Sequence, residues 1–207
     1  IPTETGISLL IDCGANVDAR PEHLLQFAKM GSIIWKTLWG SRIRDGDCKY
    51  RCGRGEGKCP GKRNISAVER MWDINFVGSI EAREIPHGGA DVIVCEAFVG
   101  NVILKLYEGL SSTLVGVIKA GLMSNLKSKI GAALALPSLK KTLKAFDASQ
   151  YGGAPLLGLN GLVVKTHGSS KAKEITNSIY QCVTFREENI NEIIKERIVD
   201  SKNNEEE

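Results

Sequence analysis

Short apolar runs alternate with amphipathic segments along most of this chain. The runs at residues 7–12, 74–78 and 90–95 are rich in aliphatic and β-branched residues, which is typical of strands buried on both faces. Two of them lead through a polar loop into apolar residues at helical spacing, with Pro21 at the start of one predicted helix and Asn101 as the predicted cap of the other. This repetition predicts an α/β fold with a mostly parallel sheet.

The loop after the first run carries Asp12, Gly14 and Asn16. In α/β proteins, a polar loop that follows a buried strand is a frequent place for ligand-binding groups. Asp12 and Asn16 are therefore candidates to contact a ligand or a neighbouring loop. The alternative is that Asn16 only tolerates a left-handed turn.

A third strand–turn–helix unit closes the pattern. A β-branched run at residues 161–165 is followed by His167, Gly168, Ser169 and Ser170, and then by a helical pattern. The apolar positions of that pattern are Ile175, Ile179, Cys182 and Val183. Ser169 or Ser170 is the predicted cap, and the free N–H groups of the first turn predict an anion site with His167 at its rim. The alternative is an ordinary connection with a solvated histidine.

The residues before this unit form a glycine-rich apolar segment. Over residues 151–161 we expect a flexible loop in which Gly152 and Gly153 allow close backbone approach and the leucines line an apolar slot. After it, the last helix is expected to end near Val199. Residues 200–207 are expected to be a disordered tail.

A lysine-rich region lies in the middle of the chain. Leucine and isoleucine residues recur between residues 110 and 146, without one acidic residue. The lysines are Lys119, Lys127, Lys129, Lys140, Lys141 and Lys144. With Pro137 near the turn, the pattern predicts a basic amphipathic hairpin over residues 111–146. Such a hairpin suits an acidic protein partner or an anionic membrane surface. The alternative is a solvated helix pair packed on the domain.

The composition is that of a globular chain. Its 207 residues are 43% hydrophobic, enough for one sizeable core, and no apolar run reaches the roughly 18–20 residues that a membrane span needs. No leader with a cleavage site is recognisable, so secretion is not expected. The opening residues 1–6 resemble a linker, and we expect the chain to be part of a longer protein.

Residues 35–72 differ from the rest of the chain. They hold ten Lys or Arg and four Asp or Glu, all three Trp residues, and no apolar periodicity, so we expect neither helix nor strand to present their basic side chains. The spacing of Cys48, Cys52 and Cys59 fits no standard zinc site. The glycine-rich stretch lacks the ending of a phosphate loop. We therefore expect no metal and no nucleic-acid binding.

Four motifs together carry a family resemblance. They are Leu-Ile-Asp-Cys-Gly-Ala-Asn-Val-Asp (10–18), Phe-Val-Gly-Asn-Val (98–102), Tyr-Gly-Gly-Ala-Pro-Leu-Leu-Gly-Leu-Asn-Gly (151–161) and Lys-Thr-His-Gly-Ser-Ser (165–170). In order and spacing they resemble the PlsX-type phosphate acyltransferases over residues 1–34 and 73–199. The resemblance implies transfer of a fatty acyl group from acyl carrier protein to inorganic phosphate, giving the acyl phosphate used in bacterial phospholipid synthesis.

The resemblance also implies a fold and a setting. The fold is a three-layer α/β/α sandwich related to phosphotransacetylase and isocitrate dehydrogenase, with the hairpin protruding from it. Residues 1–199 would be the C-terminal part of a single domain. The implied enzyme is a cytoplasmic homodimer, attached peripherally to the membrane, that needs no cofactor.

Site residues follow from this chemistry together with the resemblance. Phosphate must be held as the nucleophile while the thioester carbonyl oxygen is stabilised. His167, Asn101 and Lys105 are the predicted catalytic residues. The predicted substrate-binding residues are Asp12, Gly14, Asn16, Gly152, Gly153, Gly168, Ser169 and Ser170. The six lysines of the hairpin are predicted to meet acyl carrier protein, the membrane, or both.

Two departures from the family pattern stand out. Glu96-Ala97-Phe98 replaces the usual Asp-Gly-Phe, and residues 35–72 bear no resemblance to the family. Codons chosen among those permissible for residues 50–72 and read one base out of register can spell an acidic loop and helix like those of the family. We therefore hypothesise a compensated frameshift in residues 35–72. Alternative functions are a catalytically impaired fragment that only binds acyl carrier protein or membrane, and a short-chain acyltransferase that uses acyl-CoA.

Overall fold

The computed structural model describes residues 1–39, 49–53, 75–144 and 152–203. The strands are β1 (Pro2–Thr3), β2 (Gly6–Ile7), β3 (Leu9–Ile11), β4 (Lys49–Gly53), β5 (Asn75–Ile80), β6 (Val92–Val94), β7 (Ala154–Leu156) and β8 (Val163–Lys165). The helices are α1 (Pro21–Trp39), α2 (Ala97–Leu122), α3 (Leu126–Lys144), α4 (Ala172–Glu187) and α5 (Ile190–Asn203), with a 3-10 helix over Ala82–His87.

A four-stranded parallel sheet in the order β3-β6-β4-β5 forms the centre of the fold. Leu9 pairs with Val92 and Ile11 with Val94, so the carboxyl ends of β3 and β6 lie side by side. The predicted α/β class with a parallel sheet is therefore confirmed. The three-layer sandwich and the relation to phosphotransacetylase stay predictions.

Strand β4 is a correction to the sequence analysis. Residues 35–72 were expected to hold no helix or strand, yet α1 continues to Trp39 and β4 lies between β6 and β5. Parallel pairing uses main-chain groups, so a strand enclosed by two neighbours forms without an apolar pattern of its own. Cys48 and Cys59, two of the three cysteines for which no zinc site is expected, lie outside the described residues.

Both faces of the sheet are covered by apolar clusters. Val92 and Val94 point to a cluster that contains the buried face of α1 together with Phe185, Ile190 and Ile194 from α4 and α5. On the opposite face, Ile93 belongs to a cluster that the first turns of α2 partly cover. Successive residues of β6 thus enter different clusters, as the two-residue period of a strand requires. Each such side chain contributes roughly 1.5–3 kcal/mol by burial.

The third predicted unit does not extend this sheet. Strand β8 pairs in antiparallel fashion with β7, and Pro155 lies opposite Val164. The region 151–161, expected to be a flexible loop, therefore contributes a strand, while Tyr151 itself lies outside the described residues. Glycine-rich connections allow the chain to fold back on itself, so that segments close in the sequence can pair as an antiparallel ribbon.

The helix pair breaks at a different place from the one predicted. Helix α2 ends at Leu122 and α3 begins at Leu126, whereas Pro137 lies inside α3. Asn125 caps α3, because its Oδ1 accepts the backbone N–H of Ser128 at 2.9 Å. The sequence signal for this break is therefore Asn125, a preferred N-cap residue.

The C-terminal tail prediction is partly wrong. Helix α5 continues to Asn203, so residues 200–203 are helical instead of disordered, and residues 204–207 lie outside the described part. The acidic and basic residues that suggested a solvated tail are equally compatible with an exposed helix end.

Candidate functional site

The loop that follows β3 is organised around the carboxylate of Asp12. Its Oδ1 accepts the backbone N–H groups of Gly14 and Ala15, both at 2.8 Å. Its Oδ2 accepts the backbone N–H of Asn16 at 2.9 Å and the side-chain Nδ2 of the same residue at 2.7 Å. Asp12 itself is only 6% exposed, whereas Asn16 is exposed. The loop thus folds around the buried carboxylate of Asp12.

The hydrogen bonds of this loop decide the ionisation of Asp12. Burial acts to raise the pKa of the carboxyl group, but the N–H groups of Ala15, Asn16 and Gly14 and the amide of Asn16 together lower it below its ordinary value. Asp12 is therefore a carboxylate at neutral pH, and its charge is compensated inside the loop.

Helix α2 approaches this loop through Gly100. A Cβ atom added at Gly100 would lie 1.8 Å from the backbone oxygen of Asp12 and 3.0 Å from Sγ of Cys95. Only glycine permits this separation, because real Cβ contacts below 3.0 Å essentially do not occur. The sequence analysis missed Gly100, although its position inside a helical pattern was the available signal.

The same approach brings Asn101 to the loop. A Cβ atom built at Gly14 would lie 3.7 Å from Cβ and Cγ of Asn101. Asn101 was predicted to cap the helix, and this is wrong: Glu96 occupies the cap position with extended backbone, and Asn101 is half-buried inside α2. Lys105 follows one turn later and is exposed. The amide of Asn101 therefore faces the Asp12 loop at the carboxyl ends of β3 and β6.

The turn after β8 holds the second group of predicted residues. His167 Nδ1 lies 2.7 Å from Oγ of Ser169 and accepts the backbone N–H of Ser169 at 3.2 Å. The backbone N–H of Ser170 donates to the carbonyl of His167 at 3.0 Å. Because Nδ1 acts as an acceptor, the neutral imidazole carries its proton on Nε2. His167, Gly168 and Ser169 are exposed, so this donor is available to a ligand.

The start of α4 differs from the prediction. Neither Ser169 nor Ser170 is the cap, since α4 begins at Ala172 with Lys171 in the cap position. The backbone N–H of Lys171 donates to Oε2 of Glu174 at 3.0 Å. The carboxylate of Glu174, in the first turn of α4, thus accepts a backbone N–H at the helix end that was predicted to bind an anion. An anion at this place would instead use the His167–Ser170 turn that precedes the helix.

Gly152 and Gly153 have a packing explanation. With a φ of +79°, Gly152 brings the chain against α4, where an added Cβ atom would lie 2.9 Å from Oε1 of Gln181. At Gly153 the corresponding atom would lie 2.6 Å from the backbone oxygen of Lys165 in β8. Their predicted role in substrate binding stays a prediction.

Helices α2 and α3 expose a large apolar surface, which we call the α2–α3 surface. Its large apolar side chains are between 47% and 80% exposed. They are Phe98, Val102, Leu106, Leu110, Leu114, Ile118, Leu126, Ile130 and Leu134. The predicted lysines Lys119, Lys127, Lys129, Lys140 and Lys141 are exposed on the same helices, while the side chain of Lys144 is outside the described part.

The number of large apolar side chains exposed on this surface is unusual. Monomeric soluble proteins rarely expose contiguous apolar patches of this extent. Within the described residues, no helix combines the length and the apolar character needed to cross a bilayer. Likewise, the described His, Cys, Asp and Glu side chains form no group of three or more suited to a metal ion.

The structure thus separates the predicted residues into two groups. Asp12, Gly14, Asn16 and Asn101 come together at the carboxyl ends of β3 and β6. His167, Ser169 and Ser170 contact one another in the turn before α4. The first group offers amide groups at the edge of a parallel sheet, where α/β proteins bind ligands. The second offers a histidine donor.

Comparisons with known proteins agree with one another. The model of a family described as "Fatty acid synthesis protein" matches residues 1–193. A phosphate acyltransferase of Clostridioides difficile (strain 630) is 41% identical over 207 residues, 98% of this chain and 61% of that protein. One of Clostridium botulinum (strain Alaska E43 / Type E3) is 42% identical, covering 94% of this chain and 59% of that protein. One of Alkaliphilus oremlandii (strain OhILAs) is 43% identical, with 95% and 59% covered.

Two consequences follow from these matches. The chain spans 59–61% of the length of these three relatives. The family match is a single span that includes residues 35–72. The frameshift hypothesis for that segment stays a prediction, which the nucleotide sequence across codons 30–75 tests.

Proposed function

This chain belongs to the fatty acid synthesis protein family, and on that basis we propose that it transfers a fatty acyl group from acyl-[acyl carrier protein] to inorganic phosphate. The product is an acyl phosphate, which supplies bacterial phospholipid synthesis. The shared name of its relatives, phosphate acyltransferase, supports the enzyme class. We place the reaction in the cytoplasm, at the membrane surface.

The proposed reaction is an acyl transfer without redox chemistry. An oxygen of hydrogen phosphate attacks the thioester carbonyl, a C–O bond forms, the C–S bond breaks, and the phosphate proton ends on the released thiol. The barrier lies in the charge that develops on the carbonyl oxygen and on the leaving sulfur. A site for this reaction needs hydrogen-bond donors at both places and a binding site for phosphate.

The observation that carries the proposal is the junction of the Asp12 loop with α2. Gly100 lets α2 approach the end of β3 closely, and the amide of Asn101 therefore lies beside Gly14. Amides of Asn16 and Asn101 can donate to a phosphate oxygen or to the thioester carbonyl, and the ammonium group of Lys105 is available to offset negative charge. The edge formed by the carboxyl ends of two adjacent parallel strands is a common ligand position.

His167 is proposed as the donor to the reacting groups. Its Nδ1 accepts from Ser169, so its Nε2–H is the group that can hydrogen-bond phosphate or the charge that develops on the leaving sulfur, while the proton of the thiol comes from hydrogen phosphate. Gly168 and Ser170 shape the turn, and Ser169 fixes the ring. Gly152 and Gly153 hold the β7–β8 ribbon against α4, which supports the same turn.

The α2–α3 surface is proposed to serve association. Exposed leucine and isoleucine side chains beside lysines suit an anionic membrane surface, the acidic acyl carrier protein, or the apolar part of a homodimer contact. We propose that the enzyme is a homodimer that attaches peripherally to the membrane, and that no cofactor, metal or nucleic acid takes part.

Phosphate-dependent release of carrier thiol tests the function. The purified chain is incubated with long-chain acyl-[acyl carrier protein], and free thiol is measured with and without phosphate. His167→Ala should lower the rate at least roughly 100-fold, a typical loss for a hydrogen-bond donor to charge that develops in the transition state. His87→Ala is the matched control, because His87 is an exposed histidine that pairs with Glu4 on the surface. Equal loss in both variants would contradict the role of His167.

A second candidate is a fragment that binds without turnover. The presence of both α2 and α3, with their exposed apolar side chains and lysines, favours it. Binding of acyl carrier protein or of anionic vesicles without phosphate-dependent thiol release would support this candidate. Release from acyl-CoA, but not from acyl-[acyl carrier protein], would instead indicate a short-chain acyltransferase.

A further inference from the structure

The hydrogen-bonding capacity of the Asp12 carboxylate is already filled inside its own loop. A carboxylate has about four lone-pair positions. Gly14, Ala15 and Asn16 together supply four donors to Asp12, at distances between 2.7 and 2.9 Å. A ligand donor would therefore have to displace one of these bonds. Direct contact with phosphate is also unfavourable, because both groups are anions.

Asp12 also lies where three elements meet. Its backbone N–H donates to the carbonyl of Cys95 at 3.0 Å, which joins the ends of β3 and β6. Its backbone oxygen is the atom against which Gly100 packs. A carboxylate can only accept, so Asn16 must turn its Nδ2 toward Asp12. The amide of Asn16 is thereby held by Asp12.

From this arrangement we infer that Asp12 is a positioning residue for acyl transfer. It does not touch the substrates, and it holds the Gly14–Asn16 loop and the amide of Asn16 in place beside Asn101. The inference rests on the proposed function, since it names what Asp12 does at that site. It differs from the substrate-binding role expected from the sequence, because here Asp12 acts only through the loop.

Hydrogen exchange tests the structural half of the inference and needs no turnover. Asp12→Asn keeps the size of the side chain but replaces one acceptor oxygen by a donor. The backbone N–H groups of Gly14, Ala15 or Asn16 should then exchange roughly 10- to 100-fold faster, as expected for the loss of charge-assisted hydrogen bonds. The Cys95 amide should exchange at its original rate. Glu108→Gln, an exposed change on α2, is the matched control and should alter neither.

Kinetics test the functional half. Asp12→Asn should lower kcat/KM roughly 10-fold or more, because the amide of Asn16 is then no longer held in place for phosphate or the thioester carbonyl. In an Asn16→Ala background the same substitution should add less than about threefold, since residues that act as one unit are not additive. If Asp12 had a merely structural role, Asp12→Asn would lower the rate by the same factor in the unsubstituted chain and in Asn16→Ala.

Three results would overturn the inference. They are unchanged exchange of the loop amides, an unchanged kcat/KM in Asp12→Asn, and independent effects of Asp12→Asn and Asn16→Ala. If the unsubstituted chain releases no thiol, the proposed function fails instead, and the exchange experiment alone decides whether Asp12 holds the loop.

Discussion

One methyl group at Gly100 tests whether the approach of α2 to the Asp12 loop is as close as described. In Gly100→Ala the new Cβ atom would lie 1.8 Å from the backbone oxygen of Asp12 and 2.8 Å from its carbonyl carbon. The neighbour is main chain in the centre of the fold, so it cannot rotate away. The start of α2 must retreat by about 1.2 Å to reach the 3.0 Å limit of real Cβ contacts.

Two opposing effects determine the free energy of unfolding. Replacing glycine by alanine inside a helix stabilises it by about 0.8–1.0 kcal/mol. Overpacking a well-packed interior costs about 1–3 kcal/mol, and sometimes more. Because the clash at Gly100 is severe, we expect an overpacking cost of about 2–3.5 kcal/mol and, after subtraction of the helix-propensity gain, a net loss of about 1–2.5 kcal/mol for Gly100→Ala. Gly109 and Gly116 on the same helix have no atom within 4 Å of an added Cβ atom. Gly109→Ala should therefore gain up to about 1 kcal/mol.

Urea unfolding of the two variants measures this difference. For a chain of this size, the expected loss in Gly100→Ala corresponds to a decrease in Tm of about 2–10 °C. Thiol release should also decrease, because the retreat of α2 moves Asn101 away from Gly14. The reasoning is refuted if Gly100→Ala is as stable as Gly109→Ala, since the close approach would then not exist.

Three further predictions follow from the pKa directions and from α3. The pKa of Asp12 is lowered by folding, so its contribution to stability is present above the unfolded value of about 3.9 and is lost as the pH falls through the folded pKa. The difference in unfolding free energy between the unsubstituted chain and Asp12→Asn should therefore shrink below about pH 4 in urea titrations; a constant difference would contradict this. Burial, with a smaller effect of Asp12, raises the pKa of Cys13 to about 11. At pH 8, alkylation of Cys13 followed by mass spectrometry should be slower on the order of 100-fold than in the urea-unfolded chain, and equal rates would exclude the raised pKa. Pro137 lies inside the exposed helix α3, so Pro137→Ala should stabilise that helix by up to about 3 kcal/mol, seen as a higher melting temperature by circular dichroism; no change would mean that α3 ends at Pro137.

The sequence predicted the features that depend on neighbouring residues. The apolar runs ending at Asp12 and Cys95 indicated parallel strands, and the polar loop after the first run indicated a site at their carboxyl ends. The structure places Asn101 and Gly14 next to each other at this edge. Strand periodicity and loop polarity depend on neighbouring residues, so they can be recognised without the tertiary structure.

The sequence did not predict the features that depend on which segments pair with each other in the fold. Strand β4 has no apolar pattern, and it forms because β5 and β6 satisfy its main chain on both sides. Strand β8 looked like a member of the parallel sheet, yet it pairs with β7. The turn between α2 and α3 was assigned to Pro137, whereas α2 ends at Leu122 and Asn125 caps the start of α3.

Residue order alone therefore accounts for the mixed α/β class, the polar loop at Asp12 and the lysine-rich helical region. It does not reveal that Gly100 lies on the backbone of Asp12, or that four donors fill one carboxylate. The first fact depends on the close approach of segments that are nearly ninety residues apart in the chain, and the second depends on the shape that the loop takes in the folded protein. Packing sets such distances, and packing depends on all the elements at once.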